Sequence, residues 1–74
     1  MDIPPPTDGW IHAIREALGL SLAQFAVRLG LASASTAYQL EKAEVAESIT
    51  IKRFRAAANV LGCDLKIALV PRPS

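Results

Sequence analysis

The stretch "LSLAQFAVRLGLASASTAYQLEKA", residues 20–43, decides the fold because it holds two short helix signals separated by a tight turn. The Ser21 hydroxyl can cap the amides that follow it, and the Gln24 side chain, three residues later, can return to the cap as a capping box. Leu20 and Phe25 have the spacing of a hydrophobic staple across the same cap. These features predict the start of a helix at Ser21.

Both predicted helices have defined ends. Apolar residues at helical spacing stop at Gly30, so the first helix of this pair has about nine residues. Ser33 is placed to cap the next helix, which would turn Ala37 and Leu40 inward and end near Ala43.

Two further helices are predicted outside this pair. The first spans about Asp8 to Leu18 and stops at Gly19. The last is capped by Ser48 or Thr50 and ends at Gly62.

The segment after Gly62 has a different pattern. Leu65, Ile67 and Leu69 alternate with other residues, which predicts a strand from about Asp64 to Val70. A single strand cannot satisfy its own hydrogen bonds, and this chain offers no second strand. We therefore expect the strand to pair with the same strand of a second subunit across a two-fold axis.

Composition limits the classes of function. The chain has 74 residues, enough for one small domain, and its 8 basic and 7 acidic residues leave a net charge of +1. A single cysteine, Cys63, cannot form an internal disulfide and fits a cytoplasmic location. No apolar run approaches the roughly 20 residues of a membrane span. His12 has no catalytic partner at a suitable spacing, so we expect a plain helix-surface residue, no enzyme, no metal and no cofactor.

Two short helices joined by a tight turn, with small Ala26 allowing close approach, form a helix-turn-helix. The sequence resembles the Cro and phage-repressor class of regulators from Trp10 to Leu61, most specifically in "LSLAQFAVRLGL" and "STAYQLEKAE". Within that class, "GWIHAIREALGLSLAQFA" and "LGCDLKIALVPR" are similar to small antitoxin-type regulators. These are the antitoxins paired with a kinase toxin and the mobile mystery protein A group found beside Fic-domain proteins.

The resemblance implies a mainly α fold, a four-helix lambda-repressor-like domain with one C-terminal strand that pairs across a dimer. Three consecutive prolines predict a flexible Pro-rich arm at residues 1–7. A helix-turn-helix domain at residues 8–62 and a dimerising strand and tail at residues 63–74 would follow it. Leu65, Ile67 and Leu69 would form the dimer contact.

The resemblance also implies which residues meet DNA. Ser33 would touch a phosphate, Ala34, Ser35 and Gln39 would face base edges, and Tyr38 would contact a thymine methyl group or the backbone. The full predicted set is Gln24, Arg28, Ser33, Ala34, Ser35, Tyr38, Gln39, Lys42 and Lys52. A glutamine can bridge N6 and N7 of adenine.

One position departs from the pattern of the class, and the contacts of some basic and amide residues are open to two interpretations. The family usually has a glutamine where this chain has Leu22, so Gln24 or Arg28 would take over that phosphate contact, although both also fit solvated positions. Lys52 lies in a basic cluster with Arg53 and Arg55 that could be either a solvated face or a binding patch.

Arg15 and Glu41 occupy positions that form a partly buried ion pair in many members of the class, so the resemblance implies that pair here. The leading functional hypothesis is an autoregulatory repressor, an antitoxin of a toxin-antitoxin operon, that binds an inverted repeat in double-stranded DNA as a homodimer. The alternative is a protein-interaction module that neutralises a kinase-type or Fic-type toxin, with DNA binding secondary or lost.

Overall fold

The computed structural model describes residues 6–73. This range contains four α-helices, α1 (Trp10–Ala17), α2 (Leu22–Leu29), α3 (Ala34–Val45) and α4 (Ile51–Val60). The predicted mainly α, four-helix architecture is therefore confirmed. Most of the arm proposed at residues 1–7 lies outside the described residues.

The helices enclose one small core. α2 packs on both α3 and α4, and α1 packs on α3. Phe25 and Ile11 are the largest side chains that are fully buried, at 0% and 1% exposure. Ala26 and Ala37 are buried in the same cluster, which allows the helix backbones to approach closely.

Local capping sets the boundaries of α2 and its turn. The Ser21 hydroxyl accepts a hydrogen bond from Gln24 N at 3.1 Å, and Gln24 Oε1 accepts one from Ser21 N at 2.9 Å, which confirms the capping box. Gly30 ends α2 in a left-handed conformation with φ of 73°, and Leu31 N then donates to Ala26 O at 2.9 Å. The turn into α3 is therefore residues 30–33.

The caps of α3 and α4 lie where the sequence suggested. Ser33 accepts from Thr36 N at 3.4 Å, and Thr50 accepts from Arg53 N at 3.2 Å. Thr50, one of two candidates, is thus the cap of α4. α3 continues to Val45, beyond the predicted end near Ala43.

The start of α1 is capped from a distant part of the chain. Gly9 precedes α1 without any side-chain cap. Both oxygens of the Glu44 carboxylate instead accept hydrogen bonds from the α1 backbone, one from Trp10 N at 2.7 Å and one from Ile11 N at 2.8 Å. A Cβ atom at position 9 would lie only 2.9 Å from the Glu44 carboxyl group, which is too close. The backbone φ of Gly9 is 89°, a conformation that favours glycine. The last turn of α3 is thereby fixed to the first turn of α1.

The predicted strand at Asp64–Val70 is not present, because residues 63–73 have no regular secondary structure. A strand exists only through hydrogen bonds to a neighbouring strand, and the described part of this chain supplies none. Leu65 is half-buried, whereas Ile67 and Leu69 are 58% and 97% exposed. The pairing of this tail across a dimer is therefore unsupported by the single chain.

The described helices are all too short or too polar to cross a bilayer.

Removal of the distant cap should destabilise the domain. We expect Glu44→Ala to lower the free energy of unfolding by about 1–3 kcal/mol, since two amides at the start of α1 lose a charged acceptor. Chemical denaturation measures the change. Asp64→Ala is the matched control, because Asp64 is exposed and has no side-chain hydrogen bond within residues 6–73. Equal stability of the two variants would contradict the role given to Glu44.

Candidate nucleic-acid interface

α3 presents a continuous outward face. Ser35, Tyr38, Gln39 and Lys42 recur at helical spacing and are all exposed, so they lie on one side of the helix. Tyr38 is 47% exposed, and the Lys42 ammonium lies 5.2 Å from the centroid of its ring. This cation–π contact orders the two longest side chains of the face.

Residues at the start of α3 are less available for outside contacts than the outward face is. The Ser33 hydroxyl is occupied by the Thr36 backbone amide and lies 3.2 Å from the Thr36 hydroxyl. Ala34 is half-buried. The structure thus places Ser33 at the helix start, as its predicted phosphate contact requires, but exposes less of Ala34 than of Ser35 or Gln39.

α2 contributes two polar side chains one turn apart. Gln24 and Arg28 lie with Ala23 and Val27 along a shallow depression on the outer side of α2. The Gln24 carbonyl oxygen is held by the capping box, which leaves its amide NH₂ group free to donate to an anion. Arg28 is exposed and has no ion-pair partner among residues 6–73. Leu22, which replaces the family's usual glutamine, is half-buried.

α4 brings a basic segment to the side of α3. Lys52 and Arg53 are exposed in the first turn of α4, and Arg55 is exposed just after it. Arg53 lines an apolar groove of about 610 Å³ together with Thr36 and Gln39 of α3. The structure therefore adds Arg53 and Thr36 to the residues around the outward face. Sequence spacing alone gave no reason to separate Arg53 from its two basic neighbours.

A buried ion pair holds α3 against α1. Arg15 Nε donates to Glu41 Oε2 at 2.6 Å, and the two side chains are only 9% and 5% exposed. Arg15 Nη1 also donates to the carbonyl oxygen of Leu20 at 2.7 Å, in the connection between α1 and α2. The pair therefore joins α1, the approach to α2, and α3, and it directs Glu41 away from the outward face.

His12 extends this cluster, so its prediction as a plain surface residue was wrong. Its Nδ1 lies 3.0 Å from Glu41 Oε1 and 3.1 Å from Arg15 Nη2, and its Nε2 contacts the Glu16 carboxylate. The hydrogen bond to Glu41 raises the pKa of His12 above 6.5, helped by the charges of Glu16 and Glu41 and opposed by burial and by Arg15. A protonated His12 donates to both carboxylates, whereas a neutral one with its proton on Nε2 can accept from Arg15 at Nδ1.

Exposed cations on α3 and on the neighbouring helices accompany the outward face of α3. Arg28 lies on α2, Lys42 on α3, and Lys52 and Arg53 on α4, and all four are exposed. Among residues 6–73, no group of three or more His, Cys, Asp or Glu side chains is arranged to hold a metal ion. Cys63 is half-buried beside the core, in keeping with a structural residue.

Comparison with known proteins gives one result. A family model described as helix-turn-helix matches residues 11–67, which covers α1 from its second residue and the whole of α2, α3 and α4. No curated protein and no solved structure matches the chain significantly.

Loss of one member of the buried pair should unfold a large fraction of the protein. We expect Glu41→Ala to cost about 3–5 kcal/mol, because it leaves the Arg15 guanidinium buried without its counter-charge. The free energy of unfolding, measured by denaturation with urea, gives the cost. The control is Glu47→Gln, since Glu47 is exposed and has no ion pair in the described range. A Glu41→Ala protein as stable as this control would contradict the structural role of the pair.

The His12 cluster should make stability depend on pH. Because the folded state raises the pKa of His12 above its unfolded value of 6.5, the stabilisation is complete below that pH and is lost as the pH rises through the folded pKa. Unfolding of the wild type and His12→Gln should be compared from about pH 5.5 to about pH 8.5. The difference between them should shrink toward high pH, and a constant difference would contradict the assignment.

Proposed function

This chain belongs to the helix-turn-helix family of Cro and repressor-type DNA-binding regulators, and we propose that it is a transcriptional repressor that binds an inverted repeat as a homodimer. The observation that carries the proposal is the outward face of α3. Its exposed side chains are a hydroxyl, an aromatic ring, an amide and one ammonium group, which are the groups that contact base edges and phosphates in the major groove.

The neighbouring helices supply contacts to the DNA backbone. Arg28 and the free amide of Gln24 lie on the outer side of α2, and Lys52 and Arg53 lie in the first turn of α4. With α3 in the major groove, these side chains would meet the phosphates on its two edges. Phosphate contacts of this kind fix the position of the protein and supply much of the affinity, whereas Ser35 and Gln39 would distinguish sequences.

Dimerisation is proposed through the tail. Leu65, Ile67 and Leu69 alternate along a segment whose backbone has no ladder within residues 6–73, and the last two of these side chains are largely exposed. Pairing with the same segment of a second copy would satisfy both the backbone groups and the apolar side chains. Two-fold symmetry would then place the recognition helices about 34 Å apart on DNA.

We further propose that the repressor is an autoregulatory antitoxin. The support is the likeness of "GWIHAIREALGLSLAQFA" and "LGCDLKIALVPR" to small antitoxin-type regulators. The second candidate function is a protein-interaction module that neutralises a kinase-type or Fic-type toxin, with DNA binding secondary or lost. The half-buried Leu22 favours it, because this position then offers no phosphate contact.

The proposal predicts salt-dependent binding to duplex DNA. We expect the logarithm of the affinity for a random-sequence duplex pool to fall linearly with the logarithm of salt concentration. Arg28→Ala should reduce the slope by about 0.9, the effect of one lost phosphate contact. Fluorescence anisotropy at several salt concentrations measures both slopes.

Arg72→Ala is the matched control, since Arg72 is an exposed arginine in the tail rather than on α2. Its slope should equal that of the wild type. Sequences enriched from the same pool should contain two symmetric half-sites. Affinity independent of salt would contradict DNA binding, and enrichment of a single half-site would contradict the homodimer.

A further inference from the structure

The charged side chains of α3 are not available for the hydrogen bonds by which proteins usually recognise G·C pairs. Guanine is read mainly by Arg or Lys, which donate to O6 and N7, and cytosine is read by Asp or Glu, which accept from N4. Between Ala34 and Val45 the charged residues are Glu41, Lys42 and Glu44. What each of them contacts therefore decides which base pairs α3 can recognise.

Both glutamates face the interior of the domain. Glu41 is 4% exposed and bonded to Arg15 and His12. Both oxygens of Glu44 accept backbone amides at the start of α1. Neither carboxylate can accept from a cytosine without breaking an interaction that holds α3 in place.

Lys42 is poorly suited to guanine. Its ammonium lies over the Tyr38 ring, and it is a point charge without the flat, two-pronged geometry of an arginine. It also lies two turns beyond the start of α3, whereas base edges are read mostly by the first turns of a recognition helix. A phosphate contact suits this ammonium better.

The remaining exposed groups match the chemistry of A·T pairs. Gln39 forms no hydrogen bond within residues 6–73, so its amide is free for the two-bond contact with N6 and N7 of adenine. The half-exposed Tyr38 ring provides an apolar edge for the 5-methyl group of thymine. Resting on the function proposed above, we propose that α3 reads A·T pairs in each half-site, with Gln39 on adenine and Tyr38 beside a thymine methyl group.

An altered-specificity variant tests the role of Gln39. The wild type should enrich A·T pairs in each half-site from a random duplex library. Gln39→Glu should replace one A·T pair per half-site by C·G, because a carboxylate accepts from N4 of cytosine. The wild type should discriminate against a changed base at that pair by roughly 5- to 150-fold. The comparison uses base preference, since an added negative charge lowers affinity for every sequence.

Removal of single methyl groups tests the role of Tyr38. Uracil is substituted for thymine at each enriched A·T pair in turn. At one position in each half-site this change should lower the affinity of the wild type by about fourfold, the effect of one buried methyl group. Tyr38→Ala should show no such loss at that position. Tyr38 and Gln39 are exposed, and thermal unfolding of each variant verifies that it is folded.

The outcomes separate this inference from the function on which it rests. Enrichment of G·C pairs by the wild type, or salt-dependent binding without base preference, would overturn A·T reading and leave DNA binding intact. An unchanged preference in Gln39→Glu would overturn the role of Gln39. Failure of the folded protein to bind any duplex at low salt would overturn both.

Discussion

The position of α3 depends on two inward-facing carboxylates three residues apart. Glu41 pairs with Arg15 inside the domain, and Glu44 caps the first turn of α1. Because residues three apart lie on one side of a helix, these contacts hold the same side of α3 against α1. The opposite side, with Ser35 and Gln39, is therefore directed outward by charge interactions as well as by apolar packing. In a domain whose fully buried large side chains are Phe25 and Ile11, such fixed contacts matter more than in a large core.

Local signals in the sequence predicted the helices well. The capping box at Ser21 and Gln24 and the terminating Gly30 act within a few residues, so the sequence alone shows them. The distant cap of α1 could not be found in this way, since Glu44 and Trp10 are 34 residues apart and only the packing of α1 on α3 brings them together. His12 was misjudged for the same reason, because its partner Glu41 lies on another helix.

In the tail, residues 63–73, a local pattern predicted an element that is not present. Leu65, Ile67 and Leu69 alternate as side chains on one face of a strand do, but alternation alone does not supply a hydrogen-bonding partner. The helices complete their backbone hydrogen bonds internally and therefore form in one chain. A lone strand cannot, so its structure depends on what lies beside it. The family resemblance supplied the residues of the candidate face on α3, and helical spacing explains why they lie on one side of the helix. Alternation in the tail does not identify what the tail pairs with.

Charge distribution explains how a chain with a net charge of +1 can present a basic surface. Glu16, Glu41 and Glu44 all bond to groups of the protein itself, to His12, Arg15 and the α1 backbone. Of the 8 basic side chains, all within residues 6–73, only Arg15 forms an ion pair with a carboxylate. These contacts hold three carboxylates on or against α1, whereas the cations on α2, α3 and α4 remain exposed. Affinity for a polyanion depends on these exposed charges near the contact surface, so near-neutrality of the whole chain is compatible with phosphate binding.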